Sequence, residues 1–151
     1  MIYLGLIGIV FLTDFFLKKY IERKYARKVQ HPHLKNKIVI EKYYNDGATL
    51  NLLAKHPKIM TALHTAVILL IAVPYAMVLR HSGKSMTKTG IALVLGGGLN
   101  NLFDRYTKGH VVDYVRFAFG PKWFQTIIFN VSDFFIFIGA ILTVIAEERG
   151  H

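Results

Sequence analysis

Long apolar blocks alternate with strongly polar connections along the chain. Four blocks stand out, at residues 1–17, 59–79, 89–103 and 124–146. A helix needs about 20 mostly apolar residues to cross the hydrocarbon core of a bilayer. The second and fourth blocks meet this length, whereas the first and third meet it only if their polar ends enter the interface. The pattern predicts four transmembrane helices, at about residues 1–19, 59–80, 88–105 and 123–147.

The polar stretch between the first two helices, about residues 20–57, predicts a small extramembrane substructure. Its run KIVIEKYY is rich in β-branched and aromatic residues, follows the helix-breaking Pro32 and precedes an Asn-Asp-Gly turn signal. VVDYVRF, between helices three and four, is extended in the same way. The predicted fold class is a mainly α integral membrane protein with four transmembrane helices and a small extramembrane β-containing substructure. We expect a single domain over residues 1–151.

The apolar blocks also indicate whether the first helix is retained and how the helices pack. No basic residue precedes the first block, Asp14 lies inside it and no A-x-A-like site follows it, so we expect a retained helix rather than a cleaved signal peptide. In helix three, Gly96, Gly97 and Gly98 are expected to allow close contact with neighbouring helices.

The formal net charge of +10 is concentrated in residues 18–42. Basic residues beside a transmembrane helix favour anionic lipid headgroups, at about 1 kcal/mol for each residue near the surface. A solvated loop with no specific partner explains the cluster equally well. Nucleic acid is not an expected partner. The basic residues are Lys18, Lys19, Arg23, Lys24, Arg27, Lys28, Lys35, Lys37 and Lys42.

Several chemistries fit the sequence poorly. The chain has no cysteine, so thiol nucleophiles and thiolate metal sites are excluded. Its seven histidines show no compact ligand spacing, and we expect neither a metal nor a cofactor. Ser132 lies beside Asp133, but no lysine or histidine is placed near it in sequence to activate it. Carboxylates remain as the candidate reactive groups.

Acidic residues inside or beside apolar segments are costly, at about 2.5 to 3.5 kcal/mol for a central aspartate, and persist when they pair or do chemistry. Asp14 and Lys18 are spaced i and i+4, which by itself favours a local ion pair. Asn101, Asp104 and Arg105 share one face at the end of helix three and are expected to brace a site.

The strongest candidates for chemistry are Asp113 and Asp133. Asn130 lies three residues before Asp133, where its amide is expected to donate to that carboxylate. Asp113 lies in the extended segment that leads into helix four, so the two aspartates can meet at the membrane surface. Two close carboxylates share one proton, and such a pair can act as base toward water and acid toward a leaving amine.

The segments NDGATLNLL, GGLNNLFDRYTKGHVVDYVRF and FNVSDFFIFIGA, in this order among four apolar blocks, resemble bacterial lipoprotein signal peptidase, signal peptidase II. The resemblance covers essentially the whole chain. It implies an intramembrane aspartyl peptidase, a hydrolase that removes the signal peptide of a prolipoprotein on the amino side of its diacylglyceryl-modified cysteine. The implied catalytic pair is Asp113 and Asp133. The implied supporting or substrate-binding residues are Asp14, Lys18, Asn45, Gly47, Asn101, Asp104, Arg105 and Asn130.

Four positions depart from the pattern of this family. Thr49 and Leu50 replace the usual alanine and phenylalanine, Asn100 replaces glycine and Ser132 replaces alanine. None removes a catalytic group, but together they can reshape the pocket and alter substrate preference.

The resemblance also implies a topology and a cellular location. It predicts a multi-pass protein of the bacterial cytoplasmic membrane, with cytoplasmic termini and an active site at the outer face. The positive-inside rule predicts the opposite orientation, because the first and third connections hold most of the lysine and arginine. We favour the orientation implied by the motifs, because their order is more specific than a charge bias. We further expect a monomer.

Two alternatives from other classes remain at this point. A small transporter or proton-relay protein would use Asp14, Asp104 and Asp133 within the membrane, but it gives no role to NDGATLNLL or VVDY. A catalytically inactive family member that binds lipoproteins would not need both Asp113 and Asp133.

Overall fold

Helices form most of the structure, a computed structural model that describes residues 1–47 and 55–149. A small antiparallel sheet lies at one end of the helices, so the prediction of a mainly helical chain with a small β substructure is confirmed. The elements are α1 (Ile2–Lys24), β1 (Gln30–His33), β2 (Ile38–Asn45), α2 (Pro57–Val78), α3 (Ser85–Lys108), β3 (Val111–Phe117), α4 (Lys122–Gln125), β4 (Ile128–Phe129) and α5 (Val131–Glu148).

Helix α3 lies at the centre and contacts α1, α2 and α5. It runs parallel to α1, because Lys88 lies over the Tyr3 ring near the start of both helices and Lys108 Nζ lies 2.8 Å from Glu22 Oε2 near their ends. It runs antiparallel to α2, whose Tyr75 hydroxyl donates to the Lys88 carbonyl at 2.9 Å. The helix ends near residues 18–24 and 100–108 therefore lie at the same end of the bundle as the sheet.

The glycines of α3 bring the helices into close contact. An added Cβ on Gly96 would lie 2.7 Å from Val10 Cβ of α1, and one on Gly97 would lie 2.5 Å from the Ser132 carbonyl oxygen of α5. An added Cβ on Gly98 would lie 2.5 Å from Ile68 Cδ1 of α2. Each glycine contacts a different helix, which confirms the predicted packing role.

Apolar side chains cover the outer faces of α1, α2 and α5, including Leu4, Ile9, Phe16, Leu70, Val73 and Val144. By length and mean hydropathy, α2 is the one helix within residues 1–47 and 55–149 that qualifies as a membrane span, with a hydropathy of 1.9. The other long helices carry charged residues near their ends, such as Lys88 and Asp104 in α3 and Asp133 and Glu147 in α5. This criterion does not confirm four spans, which stay a prediction.

The sheet has the order β1-β2-β3-β4, with every neighbouring pair antiparallel. Strands β2 and β3 lie where the β-branched runs predicted extended chain, and Tyr43 pairs with Asp113. Strand β1 was not predicted. Its Pro32, interpreted only as a helix breaker, pairs with Val39 on an edge strand, where the missing N–H of proline is tolerated.

The predicted fourth helix, 123–147, is wrong at its start. A short α4 ends at Gln125, β4 pairs with β3, and the long helix α5 begins only at Val131. The reason is a capping box at Asn130: its side-chain oxygen accepts from the Asp133 N–H at 3.0 Å, and its own N–H donates to the Asp133 carboxylate at 2.9 Å. The other predicted helices differ by a few residues at their ends, chiefly α1, which continues to Lys24.

We expect Gly97→Ala to destabilise the fold, because the added methyl group would push against the Ser132 carbonyl and Ile136 of α5. Overpacking of this kind costs about 1–3 kcal/mol. The measurement is thermal unfolding of purified protein in detergent. Gly8→Ala is the matched control, since a Cβ there meets nothing within 4 Å. Equal melting temperatures for the two variants would show that the α3–α5 contact does not need glycine.

Candidate active site

A buried lysine connects α1 to α3 near the sheet. Lys18 is 1% exposed, and its Nζ donates to Asn100 Oδ1 at 2.6 Å and to Asn101 Oδ1 at 2.7 Å. Two carboxylates complete its surroundings, Asp104 Oδ2 at 3.0 Å and Asp14 Oδ2 at 3.2 Å. An ammonium group has three N–H donors, so all of them are used. The predicted pair of Asp14 and Lys18 exists, but as one part of a larger buried cluster.

Asp14 also connects α1 to the sheet and to α5. Its Oδ1 accepts from the Tyr114 hydroxyl at 2.7 Å, and that hydroxyl oxygen accepts from the Val131 N–H at 3.2 Å. Burial, together with the charge of Asp14, raises the pKa of Tyr114 above its usual range, so the phenol keeps its proton. The first residue of α5 is thereby held close to the end of α1.

Asp104 and Arg105 connect the end of α3 to the sheet. Asp104 Oδ1 lies 2.9 Å from Lys108 Nζ, and its Oδ2 accepts from the Val112 N–H of β3 at 3.2 Å. Arg105 Nη2 donates to the Gly47 carbonyl at 2.6 Å, just beyond β2. The end of α3 is thus fixed to both central strands.

Asp133 is held by two donors. Asn101 Nδ2 donates to Oδ1 at 3.0 Å, and the Asn130 N–H donates to Oδ2 at 2.9 Å. The orientation of the Asn101 amide follows from Lys18, which binds its oxygen and leaves the NH₂ group to face Asp133. Lys18 therefore acts on Asp133 through Asn101.

Asp113, in the middle of β3, is also held by two donors. Asn45 Nδ2 donates to Oδ2 at 2.9 Å, and Asn130 Nδ2 donates to Oδ1 at 2.6 Å. The expectation that the Asn130 side-chain amide donates to Asp133 is therefore wrong. Its oxygen caps α5, which turns the NH₂ group toward Asp113, while its backbone N–H serves Asp133. One residue thus connects the two carboxylates.

The surroundings of Asp113 favour its protonated form. The side chain is buried, at 2% exposure. Burial, followed by the nearby charge of Asp133, raises the pKa of Asp113 to about 7, although the amides of Asn45 and Asn130 act in the opposite direction. A carboxyl that keeps a proton near neutral pH beside a second carboxylate is equipped for acid and base catalysis.

A cleft of about 910 Å³ opens beside the two aspartates, between α2 and α5. Asp113, Asp133 and Arg105 contribute polar groups at one end. Most of the remaining wall is apolar, with side chains from the sheet, from α4 and from both helices. These include Met60, Leu63, Val67, Phe117, Phe124, Phe129, Phe134 and Phe137. The cleft suits a ligand that presents a polar bond to the aspartates and a large apolar group to the helices.

All ten candidate site residues lie in this one network of contacts, including Asn45, which binds Gly47 as well as Asp113. Three further members were not singled out from the sequence: Asn100 as a Lys18 ligand, Tyr114 and Lys108. Tyr114 directly follows Asp113 on the strand, which was the one available signal.

The four departures from the family pattern differ in their structural effect. Asn100 binds Lys18 through its oxygen and donates its amide to the Phe11 carbonyl at 2.8 Å, so it adds an acceptor for the buried ammonium. Ser132 is buried, and its hydroxyl has no hydrogen-bond partner within the described part of the chain. Thr49 and Leu50 lie outside the described residues.

The fold is that of a bacterial membrane enzyme. A solved bacterial membrane enzyme at 2.3 Å resolution superposes with a TM-score of 0.83 at 21% identity, covering 97% of this chain and 87% of that one. A second, at 1.9 Å resolution, gives a TM-score of 0.78 at 23% identity over 95% and 90% of the two chains.

The chain belongs to the signal peptidase II family. The family model described as signal peptidase (SPase) II matches residues 6–147. The lipoprotein signal peptidase of Paraburkholderia phytofirmans is 34% identical over 97% of this chain and 84% of its own length, and that of Mesorhizobium japonicum is 39% identical over 71% and 62%. The resemblance found in the sequence is therefore confirmed, and the chain is a bacterial membrane protein of a peptidase family.

We expect Lys18→Met to destabilise the fold strongly. The substitution keeps a long side chain but leaves Asp14 and Asp104 buried without their shared cation, and breaking a buried ion pair costs about 3–5 kcal/mol. Thermal unfolding in detergent measures the loss. Lys19→Met is the matched control, because Lys19 is exposed. A Lys18→Met protein as stable as this control would contradict a structural role for the buried ammonium.

Proposed function

We propose that the chain is an aspartic endopeptidase that cleaves prolipoproteins on the amino side of a diacylglyceryl-modified cysteine. The observation that carries this proposal is the convergence of Asp113 and Asp133 on Asn130, at the polar end of an apolar cleft. Family membership supports the type of substrate. The ten candidate site residues all come from one chain, which supports a monomer as the active form.

The proposed reaction uses one proton shared by the two carboxylates. The ionised carboxylate accepts a proton from water as the water oxygen attacks the scissile carbonyl carbon. The protonated carboxyl donates a hydrogen bond to the carbonyl oxygen and stabilises the tetrahedral intermediate. When the carbon–nitrogen bond breaks, the amine leaves with the proton taken from water. The pair titrates as a unit, so both proton transfers belong to the dyad.

The other site residues have positioning roles in this proposal. Asn130 and Asn101 fix the carboxylates, Lys18 orients Asn101, and Asn45 holds Asp113 from the sheet. Arg105 has two buried nitrogens, Nε and Nη1, that lack a hydrogen-bond partner among the described residues. Arg105 itself lines the same cleft as the aspartates, where the positive charge of its guanidinium would attract an oxygen of the bound substrate.

The apolar wall of the cleft supports a lipid-bearing substrate. Side chains such as Leu63, Val67 and Phe137 would contact the acyl chains of the diacylglyceryl group, which would enter between α2 and α5. Burial of apolar area contributes about 25 cal/mol for each Å² removed from water. The lipid would then hold the adjoining peptide bond beside the aspartates.

The proposal includes four spanning helices, α1, α2, α3 and α5, with the active site at the outer face of the cytoplasmic membrane. Their alternating directions and the apolar side chains on their outer faces support this arrangement. Both termini would lie on the cytoplasmic side, opposite the sheet. The exposed basic residues of the first connection would then lie outside, against the positive-inside rule. Reporter fusions that place residues 25–37 in the cytoplasm would contradict this orientation.

The two alternatives are less favoured. A transporter or proton relay would use the intramembrane carboxylates, but Asp14 and Asp104 are occupied by Lys18, and family membership favours a peptidase. A lipoprotein-binding protein without activity would not need a protonated Asp113 beside a second carboxylate.

We expect Asp113→Asn and Asp133→Asn each to reduce cleavage of a lipid-modified prolipoprotein by at least about a hundredfold, because each removes a proton-transferring group. The measurement is product formation by purified protein in lipid or detergent. Glu148→Gln is the matched control, an exposed carboxylate at the far end of α5. Full activity in either aspartate variant would contradict the proposed dyad.

We expect kcat/KM to fall as the pH rises through about 7. Asp113, whose pKa is raised, holds the required proton below this pH and loses it above. Asn45→Ala removes a donor that stabilises the ionised form, so the alkaline limb should move upward by about one pH unit. Steady-state rates across a pH series measure both effects. An unchanged or lowered limb in Asn45→Ala would show that Asp113 does not set it.

A further inference from the structure

The tip of the β1–β2 hairpin, residues 34–37, carries basic and apolar side chains that the proposed reaction does not use. We propose that this hairpin tip binds the headgroups of anionic phospholipids at the membrane surface next to the active site. The inference rests on surface charge and shape and does not depend on the proposed peptidase activity.

Some basic residues of the segment 18–42 are already bound within the protein, so fewer are available to bind an external anion. Lys18 is enclosed by the buried cluster, and Lys42 is buried with its Nζ donating to the Glu22 carbonyl at 3.0 Å. Lys24 Nζ donates to the Tyr20 hydroxyl at 2.5 Å. Six basic residues of the segment are exposed and form no ion pair within the described ranges: Lys19, Arg23, Arg27, Lys28, Lys35 and Lys37. Of these, Lys35 and Lys37 lie at the hairpin tip. These two lysines are free to meet an external anion.

The tip also presents an apolar side chain to its surroundings. Leu34 is 70% exposed, at the end of the hairpin and next to Lys35. Leu34, Lys35 and Asn36 have φ values of 48°, 56° and 65°, which is the left-handed region that non-glycine residues rarely adopt. This conformation carries a steric cost for residues with a Cβ. An external surface that accepts both the leucine and the lysines would offset part of this cost.

Exposed aromatic residues lie beside the hairpin and extend the same surface. The Ala118 N–H donates to the Lys37 carbonyl at 2.9 Å, so the hairpin adjoins the segment that leads into α4. There Phe119 is 50% exposed and Trp123 is 62% exposed. Lys122, between them in sequence, is exposed as well. Tryptophan beside lysine is typical of the interface between headgroups and acyl chains.

An anionic phospholipid matches this combination of groups. Its phosphate binds lysine at about 1 kcal/mol for each residue near the surface, which is about fivefold in the binding equilibrium. Its acyl chains begin directly below the phosphate and can accept Leu34 and the aromatic rings. Docking of the tip would also hold β2, whose last residue Asn45 contacts Asp113.

The absence of cysteine from the sequence makes a direct test simple. Leu34→Cys provides a unique site for the environment-sensitive dye NBD, and the labelled protein is placed in nanodiscs. Two compositions are compared, phosphatidylcholine alone and phosphatidylcholine with phosphatidylglycerol. We expect a blue shift of the emission and protection from iodide quenching only with phosphatidylglycerol. Salt at about 1 M should reverse both, because the screening length falls to about 3 Å.

A matched pair of charge variants tests the role of the lysines. In the labelled protein, Lys35→Glu with Lys37→Glu should abolish the shift, since loss of each cation weakens docking by about fivefold before repulsion is added. Lys55→Glu with Lys58→Glu changes the net charge equally, at exposed positions where α2 begins, and should keep the shift. Equal loss in both double variants would overturn the proposal by showing a dependence on net charge alone.

Hydrogen exchange of the unmodified chain provides a measurement that needs no variant. Backbone amides of residues 33–37 should exchange more slowly in nanodiscs that contain phosphatidylglycerol than in phosphatidylcholine alone. Equal exchange in the two lipids, or equal NBD spectra in the two lipids, would overturn the proposal.

Discussion

The buried ammonium group of Lys18 is the interaction on which the rest of the site depends. An isolated charge removed from water costs several kcal/mol, so it is tolerated only where opposite charges and acceptors surround it. Asp14 and Asp104 supply the charges, and Asn100 and Asn101 supply the amide oxygens. This surrounding requires α1 and α3 to pack closely, which the lack of a side chain at Gly96 allows. Polar chemistry thus fixes the geometry of helices whose outer faces are apolar.

Two asparagines position the two candidate reactive aspartates. An asparagine side chain has one acceptor and one donor end, so occupation of its oxygen decides where its NH₂ group points. Lys18 occupies the oxygen of Asn101, and the Asp133 N–H occupies that of Asn130. Their NH₂ groups therefore face Asp133 and Asp113 respectively. The carboxylates are fixed by neutral donors. The proton that we propose they share is therefore available for chemistry in a way that a direct lysine contact would not allow.

The sequence predicted the elements whose signals are local and missed those that depend on distant partners. β-branched runs predicted β2 and β3, and hydrophobic length predicted the long helices. The break at residues 126–130 lies inside a block that hydrophobicity alone assigns to one helix, although Asn130 and Asp133 have the spacing of a helix N-cap and its N3 residue. Pro32 was taken only as a helix breaker because nothing local shows that its segment forms a sheet edge. The spacing of Asp14 and Lys18 revealed their pair, but the contacts of Lys18 with α3 bridge more than 80 residues of chain.

Infrared spectroscopy of the carboxyl groups tests the shared proton most directly. At about pH 6 an ordinary aspartate, with a pKa of about 3.9, is ionised and shows no protonated C=O stretch. We expect a protonated carboxyl band at this pH that fades as the pH rises through about 7 and is absent from Asp113→Asn. A spectrum without such a band, or a band that Asp113→Asn leaves unchanged, would contradict the proposal that Asp113 and Asp133 hold one proton between them.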